Sequence, residues 1–355
     1  MAAEWKPRRK APAGAQAVTT LVTGAAGFLG SHVARQLVAR GDDVRVLMRP
    51  TSSNRAISDL SLEYVTGDLR DAASLEHAMR GVQTVFHVAA DYRLWARRPQ
   101  DIYDSNVGGT KNLLAAAKQA GVERLIYTST VATIAVDRPD LPNEHTDAKL
   151  EEMIGHYKRS KWMAEQEALQ AAKNGLPVVV AMPTTPVGPW DWKPTPTGKI
   201  VLDFLNGKLP GYVETGLNFV GVEECAAGHL VVGEKGQVGE RYLLGAENLT
   251  LKELLDTLAK ITGLSAPAMK IPHGLALGVA YVETGFSRLL GKEPQIPVEG
   301  VKIARHKMFV DVSRAQREFG FLPGSVAAAL ERAVRWYREN GYVSPRRARK
   351  INLAA

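Results

Sequence analysis

Tyr157 and Lys161 stand four residues apart, a spacing that puts both side chains on one face of a helix. Tyr157 alone among the tyrosines of the chain has a lysine at that offset. The chemistry open to such a pair is proton transfer. A free phenol has a pKa of about 10, and an ammonium about 4 Å away in a medium of effective dielectric near 20 favours the phenolate by up to roughly 4 kcal/mol. The spacing therefore predicts a phenol drawn down toward neutrality, with screening trimming the effect. Such a group exchanges a proton with a substrate oxygen while a hydride moves at the neighbouring carbon. Ser129 and Thr130 end an upstream apolar run, Leu125 to Thr128, and offer a third hydroxyl. On spacing alone the Tyr/Lys pair reads equally well as a surface contact. Its position after a strand that ends in hydroxyls makes it specific.

Rival chemistries find less support. The histidines, His32, His77, His87, His145, His156, His229, His273 and His306, show no metal spacing, and no metal site is expected. There is neither a G-x-S-x-G nucleophile elbow nor the Gly-Lys-Ser/Thr of a P-loop. Cys225 is the one cysteine, so the chain forms no internal disulfide, which suits a reducing compartment.

The proton-transfer pair needs a partner that moves hydride, and Val18 to Gly30 supplies the place for one. A β-branched run ends at Thr23, glycines follow at Gly24, Gly27 and Gly30, and Leu29, Val33, Leu37 and Val38 then recur at helical spacing. This reads as the strand–turn–helix of a dinucleotide site. The first glycine makes the turn, the second lets backbone approach a pyrophosphate, and the third lets the helix pack close to its strand. The helix start faces the anion. About 20 residues on, where an NAD site usually has an acidic residue, the second strand ends in Met48-Arg49, followed by Thr51 and Ser52. An arginine there suits a 2′-phosphate, which favours NADP over NAD.

The remaining elements follow in order. Leu62 to Val65 is expected as a third strand, Asp71 to Met79 as a capped helix, Thr84 to Val88 as a fourth strand running into Ala89 and Ala90. Asp91 to Asp101 is an irregular insertion rich in aromatic and basic residues at a strand's C-terminal end, where α/β proteins bind ligands. Helix 106–120, strand Leu125–Thr128, helix 157–174 and strand Val178–Met182 complete six strands alternating with helices. The fold predicted is α/β, a Rossmann-type doubly wound parallel sheet with a smaller C-terminal substrate lobe. The dinucleotide domain is placed at 18–183, with a possible returning segment near 215–245, and the substrate lobe at 184–343. That lobe includes a capping box at Thr250 to Glu253 and a last amphipathic helix at 326–338.

The net charge of +8 sits mostly at the ends. Residues 1–17 balance to +3 and residues 344–355 to +4, leaving the body near +1. Both ends are expected to be solvated basic tails, able at most to touch an anionic lipid surface weakly; a near-neutral body argues against nucleic acid as a partner. With no apolar run of about 20 residues and no signal-peptide core, the reading is a cytoplasmic protein without a transmembrane segment, acting on a small molecule.

Taken together, the G-A-A-G-F-L-G loop (24–30), G-D-L (67–69), H-V-A-A (87–90) and Y-K-R-S-K (157–161) resemble the extended short-chain dehydrogenase/reductase superfamily over roughly residues 18–340. Within it, A-D-Y-R-L-W-A-R (90–97), M-I-G-H-Y-K-R-S-K (153–161) and K-P-T-P-T-G (193–198) resemble hopanoid-associated sugar epimerases, with dihydroflavonol-4-reductase-like enzymes as near relatives. The resemblance implies that Gly24, Gly27, Phe28, Leu29 and Gly30 hold the pyrophosphate and that Asp68 and Leu69 meet the adenine. It further implies that Ala89 and Ala90 line the central groove, Lys161 binds the nicotinamide ribose, and Pro183, Thr184 and Thr185 flank the nicotinamide. Thr130 matches the family's catalytic Ser/Thr, with Ser129 as the alternative, and Tyr157 matches its acid/base. Homodimerisation through helices 106–120 and 157–174 is also implied. Tyr92, Arg93 and Trp95 are expected to touch a ring-shaped or phosphate-bearing substrate. The activity expected from the resemblance is that of a sugar epimerase-like enzyme of hopanoid-type metabolism, which would oxidise and re-reduce one sugar carbon on a held NAD; the alternative, suited by Arg49, is a net NADPH-dependent ketone reductase. A non-catalytic dinucleotide sensor on the same fold has no need of Thr130, Tyr157 and Lys161 together.

Overall fold

The computed structural model describes residues 19–135, 140–289 and 292–353; the expected N-terminal tail, residues 1–17, lies outside them. The β-branched run Thr19–Thr23 forms β1 and leads through the glycine turn into α1 (Phe28–Arg40). Then come β2 (Asp43–Met48), β3 (Glu63–Thr66), α2 (Ala72–Ala78) and β4 (Val82–His87). Asp71 caps α2 by accepting the Ala73 N–H at 3.1 Å, as its sequence position predicts. The next helical stretch is longer than expected. It opens with α3 (Gln100–Tyr103), passes through a π-turn at Asp104–Gly108 and continues as α4 (Gly109–Ala120). β5 (Arg124–Thr128), α5 (Gly155–Lys173) and β6 (Val178–Pro183) follow.

All these strands run parallel in one sheet ordered β3-β2-β1-β4-β5-β6-β9. The sixth strand of the sequence reading is not the last. The chain leaves the sheet at Pro183 and returns as β9 (Arg241–Leu244), which pairs with β6 from Val180↔Arg241 to Pro183↔Leu244. Apolar residues on one face of the sheet pack against α2, α4 and α5; those on the other pack against α1 and α7 (Val222–Lys235). This is the doubly wound Rossmann-type α/β fold. Between β1 and β4 the order of crossovers reverses, and ligands of such sheets bind at that point.

The excursion between β6 and β9, with the C-terminal part of the chain, builds a second small sheet. Its centre is β8 (Gly216–Gly221), which pairs with β7 (Thr185–Val187), β10 (Glu247–Thr250) and β11 (Lys307–Met308). α6 (Pro196–Leu205), α8 (Leu251–Thr262) and α12 (Val326–Glu339) enclose a separate apolar core around Phe219, Leu254 and Leu330. The predicted capping box starts α8: Thr250 N–H donates to Glu253 at 2.7 Å, and Glu253 N–H donates back to Thr250 Oγ1 at 3.2 Å. α9 (His273–Leu289), α10 (Val298–Ile303) and α11 (Ser313–Phe319) complete the described helices before α12, and α13 (Pro345–Ala348) ends the series.

That last helix corrects the expectation of a solvated C-terminal tail. Arg347 donates to the Leu205 carbonyl at 2.9 Å, at the C-terminal end of α6, where free carbonyls attract a cation. Ile351 is buried in the second core, and Asn352 N–H donates to Thr262 O at 3.0 Å. Charge density alone suggested a tail; Pro345 at the start of a helical turn and the apolar Ile351 decide otherwise.

Candidate active site

The C-terminal ends of β1, β4, β5 and β6 carry the motif residues, so the parallel sheet itself brings them to one edge. At β1, Gly24 adopts φ +77°, and a Cβ there would lie 2.6 Å from Ala89 N; the turn runs against the end of β4 and only glycine fits. A Cβ on Gly30 would lie 2.1 Å from Gly24 O, so α1 is pressed onto the turn. The first helical hydrogen bond runs from Ser31 N–H to Gly27 O at 2.9 Å, and no side chain caps the helix start. The N–H groups of Phe28 and Leu29 are thereby left facing the groove with the positive end of the helix dipole. That donor set fits a pyrophosphate.

Ala89 and Ala90 continue from β4 as small, partly buried residues, and Ala89 N–H lies 3.4 Å from Thr23 Oγ1. Behind them His87 is fully enclosed, with Thr23 Oγ1 at 2.7 Å from Nδ1 and Thr110 Oγ1 at 3.2 Å from Nε2. Burial, and then the Lys161 charge, push its pKa down to about 3, so this imidazole is neutral and serves to hold the strand ends together. Pro183 closes β6, while Thr184 and Thr185 are buried where the chain crosses to the second sheet; Thr184 N–H donates to Leu244 O at 3.1 Å.

On the opposite wall, α5 presents Tyr157, Lys161 and Glu165 at successive turns. The hydroxyls at the end of β5 divide between them. Ser129 donates to Glu165, as does Thr133 at 2.8 Å, and Arg241 meets the other carboxylate oxygen at 3.3 Å. Thr130 instead stands beside the Tyr157 phenol, drawing its pKa down, and accepts the Ala132 N–H at 3.2 Å. The structure therefore puts Thr130, and not Ser129, beside the phenol.

The electrostatics differ from the expectation. Lys161 Nζ donates to Thr128 O at 2.7 Å and to Tyr127 Oη at 3.1 Å. Burial lowers its pKa to about 8, against the upward pull of Glu165. Burial raises the Tyr157 phenol above its ordinary value, with the Thr130 hydrogen bond acting downward. Desolvation outweighs the helical spacing because Lys161 is directed at the end of β5 and not at the phenol.

Arg49 stands exposed after β2, and its guanidinium forms no ion pair among the described residues. Its charge helps hold Asp68 near a pKa of about 2, behind the dominant effect of Arg70, which chelates the Asp68 carboxylate at 2.7 and 2.9 Å. Leu69 is held against α4, where a Cβ on Gly109 would lie 2.8 Å from Leu69 Cβ, and its carbonyl accepts from Asn112 at 2.9 Å. Of the expected substrate contacts, Tyr92 is exposed and Trp95 partly buried. Arg93 folds back onto Asp91 at 2.5 Å, so the free cation expected for a phosphate is an internal ion pair.

Two residues escaped the sequence reading. Asn106, in the π-turn, accepts the Asp91 N–H at 2.7 Å and donates to Asp91 O and Ser160 Oγ, both at 2.9 Å. It ties the 91–97 segment to α5 between Tyr157 and Lys161. A π-turn inside a helix is a frequent mark of a functional position, but it has no sequence signature. Glu165 was legible: it extends the four-residue spacing of Tyr157 and Lys161 by one more turn. Among the described residues, no group of three His, Cys, Asp or Glu side chains is placed to hold a metal.

Comparison with known proteins agrees with this geometry. Residues 20–245 match the model of the NAD dependent epimerase/dehydratase family. A protein of Synechocystis sp. that carries the name dihydroflavonol 4-reductase is 45% identical over 327 residues, 91% of this chain and 95% of that one. Sterol demethylase protein B of Methylococcus capsulatus is 35% identical over 92% of this chain and all of its own length. The crystal structure of a nucleoside-diphosphate-sugar epimerase from Pseudomonas aeruginosa superposes with a TM-score of 0.77 at 30% identity, covering 92% of this chain and 99% of that one. The chain belongs to the NAD-dependent epimerase/dehydratase family of extended short-chain dehydrogenases/reductases and is an NAD(P)-dependent enzyme of that class.

Proposed function

We propose that this enzyme interconverts a secondary alcohol and its ketone, running as a net reductase with NADP(H), with Tyr157 as the proton donor to the substrate oxygen. The observation that carries the reading is the placing of the Thr130 hydroxyl beside the Tyr157 phenol at the ends of the parallel strands, one helical turn from a buried lysine. When bound, the nicotinamide supplies the hydride. Tyr157 releases its proton to the carbonyl oxygen as that oxygen gains charge, and Thr130 holds the phenol in line by hydrogen bonding. Lys161 keeps a positive charge beneath the end of β5, one helical turn from the phenol, where it favours the developing phenolate electrostatically; it would also hold a ribose hydroxyl of the nucleotide. The start of α1 would hold the pyrophosphate, and Ala89 and Ala90 would line the groove for the dinucleotide. Pro183 to Thr185 would flank its nicotinamide end, and Asp68 and Leu69 would border the adenine.

NADP is favoured because Arg49, just after β2, is exposed and without an ion pair among the described residues. The relatives named for dihydroflavonol and sterol chemistry favour a substrate with a polycyclic or isoprenoid skeleton. Tyr92 and Trp95 are its proposed contacts from the 91–97 segment. The epimerase reading, on a sugar in hopanoid-type metabolism with a retained NAD, draws on the Pseudomonas relative. Mass spectrometry of the nucleotide released on gentle denaturation separates the two: stoichiometric NAD supports epimerisation, and an empty site that takes up NADPH supports reduction. Tyr157→Phe tests the chemistry itself. It should cut turnover by at least 10²-fold while leaving NADPH affinity within about twofold, and a Phe variant with wild-type turnover would overturn the assignment.

A further inference from the structure

Lys161 is a buried cation held by neutral acceptors. It is 3% exposed, yet Glu165, the carboxylate one turn further along α5, is taken by Ser129, Thr133 and Arg241. What Lys161 Nζ meets is the Thr128 carbonyl at 2.7 Å and the Tyr127 hydroxyl at 3.1 Å. It also lies 4.6 Å from the centre of the Tyr127 ring. A charge so enclosed persists only where protein groups replace its water. The Thr128 carbonyl is backbone, which any residue type would supply. Among the described residues, the side chain that gives Nζ an acceptor is Tyr127.

Packing alone does not call for that hydroxyl. Tyr127 is fully buried in the core on the α4 and α5 side of the sheet, where a phenylalanine would bury the same ring without a polar atom. An ammonium only donates, so Tyr127 Oη accepts from Lys161 and must turn its own proton elsewhere. Thr110 stands beside it, drawing the phenol pKa down, while burial, Glu165 and Tyr157 push it well above its ordinary value and keep it protonated. Thr110 Oγ1 is in turn 3.2 Å from His87 Nε2, and His87 Nδ1 is 2.7 Å from Thr23 Oγ1. The rings of His87 and Tyr127 are 5.7 Å apart. Thr23 ends β1, His87 ends β4 and Thr110 lies on α4, so the elements around the glycine turn also fix the back of Tyr127.

We propose that Tyr127 is a positioning residue for Lys161: its hydroxyl and ring face hold the ammonium at the end of β5, so that two of the three N–H groups are bound by the protein and the third is left for a ribose hydroxyl of the nucleotide. This role presupposes Lys161 as the ribose-binding lysine proposed above. The other ionisable groups around the ammonium are Tyr157 and Glu165 on α5 and His87 on β4, with Arg241 of β9 reaching the site through Glu165. His87 titrates far below, and both tyrosines above, the range near pH 8 in which Lys161 loses its charge.

The test is the pH dependence of NADPH binding to the full-length protein, which needs no substrate and is read from nucleotide fluorescence. Lys161→Met supplies the baseline, which contains the ionisation of the 2′-phosphate itself near about pH 6. Above that baseline, wild-type affinity should fall about tenfold as Lys161 discharges near pH 8. Tyr127→Phe keeps the ring and takes one acceptor from the charged form, so the midpoint of the fall should move down by about one pH unit. A hydroxyl that only fills the core would cost stability in urea unfolding and leave the midpoint in place. Thr110→Val keeps its shape and removes the neighbour that takes the Tyr127 proton; it should move the midpoint the same way by less. An unmoved midpoint in Tyr127→Phe, or in Thr110→Val should the Phe variant not fold, would overturn the positioning role alone. If Lys161→Met follows the wild-type curve, the ribose-binding role of Lys161 falls, and the role of Tyr127 with it.

Discussion

Lys161 Nζ lies 2.7 Å from the carbonyl oxygen of Thr128 and draws its polarity from the end of β5. Its pKa of about 8 puts its loss of charge just above neutrality. The sign follows from burial, which disfavours the charged form: Lys161 is an ammonium below about pH 8 and neutral above it. For ketone reduction, kcat/KM should be level near pH 7 and fall as pH rises through about 8. Glu165 raises the Lys161 pKa, so Glu165→Gln should move the falling limb to lower pH. Removal of a merely structural carboxylate would lower the rate without moving the limb. A pH series of initial rates on both proteins decides between them.

The hydroxyls at the end of β5 should behave differently from each other. Thr130 stands beside Tyr157, whereas Ser129 bonds Glu165. Thr130→Ala should lower kcat by about 10²-fold, the scale for removing one hydrogen bond aimed at a reacting group, and Thr130→Ser should restore most of it. Ser129→Ala should leave kcat nearly unchanged, because Thr133 and Arg241 still hold Glu165. Its cost should be in stability, about 1 kcal/mol for one hydrogen bond, read from urea unfolding. The reverse ranking in steady-state kinetics would move the catalytic hydroxyl to Ser129.

At the glycine turn, the closeness of α1 to β1 is a steric fact. A methyl group on Gly30 would sit 2.1 Å from the Gly24 carbonyl oxygen, so Gly30→Ala must push the helix start away from the turn. The expected outcome is a loss of NADPH affinity of at least tenfold with a destabilisation of about 1–3 kcal/mol, the range for overpacking a tight contact. Isothermal titration and thermal denaturation measure the two effects separately. Wild-type affinity in the variant would show that the helix start does not contact the nucleotide.

The contrast between Gly30 and Lys161 explains what the sequence makes legible. Gly24, Gly30, Asp71 and the Thr250–Glu253 box act through their own backbone or within four residues, so their types and spacing carry the information. The alternation of β-branched runs with amphipathic helices likewise places the parallel sheet. Lys161 shares a helix face with Tyr157, but where its ammonium points depends on Thr128 and Tyr127, more than 30 positions away in the chain. β9 is four residues long and follows a 57-residue excursion from β6, so the sequence offers only a possible returning segment near 215–245 and not the strand itself. α9 carries an unmistakable apolar stripe; only the packing shows that the stripe faces outward. Asn106 is an ordinary helix residue by type, and its role arises from a π-turn that its sequence does not mark.

The proposed preference for NADP rests on a single exposed guanidinium, and reversing its charge should reverse that preference. Arg49 follows the last residue of β2, the strand beside the glycine turn, and among the described residues it is not neutralised by an ion pair. A 2′-phosphate brought to this position gains a charge-assisted hydrogen bond, for which about 1.5–3 kcal/mol is typical. At about 1.4 kcal/mol per tenfold, that is a discrimination of roughly 10- to 100-fold in favour of NADPH. Arg49→Glu places a carboxylate where the phosphate would lie, near Asp68, and repels it. Its KM for NADPH should rise by at least the same factor, while the KM for NADH, which has no phosphate there, should stay within about threefold. Because Arg49 is exposed and outside the core, the melting temperature should not change, which separates this effect from misfolding. Equal loss with both nucleotides would mean that Arg49 holds the adenosine ribose or the strand end, and a loss confined to NADH would assign the enzyme to NAD.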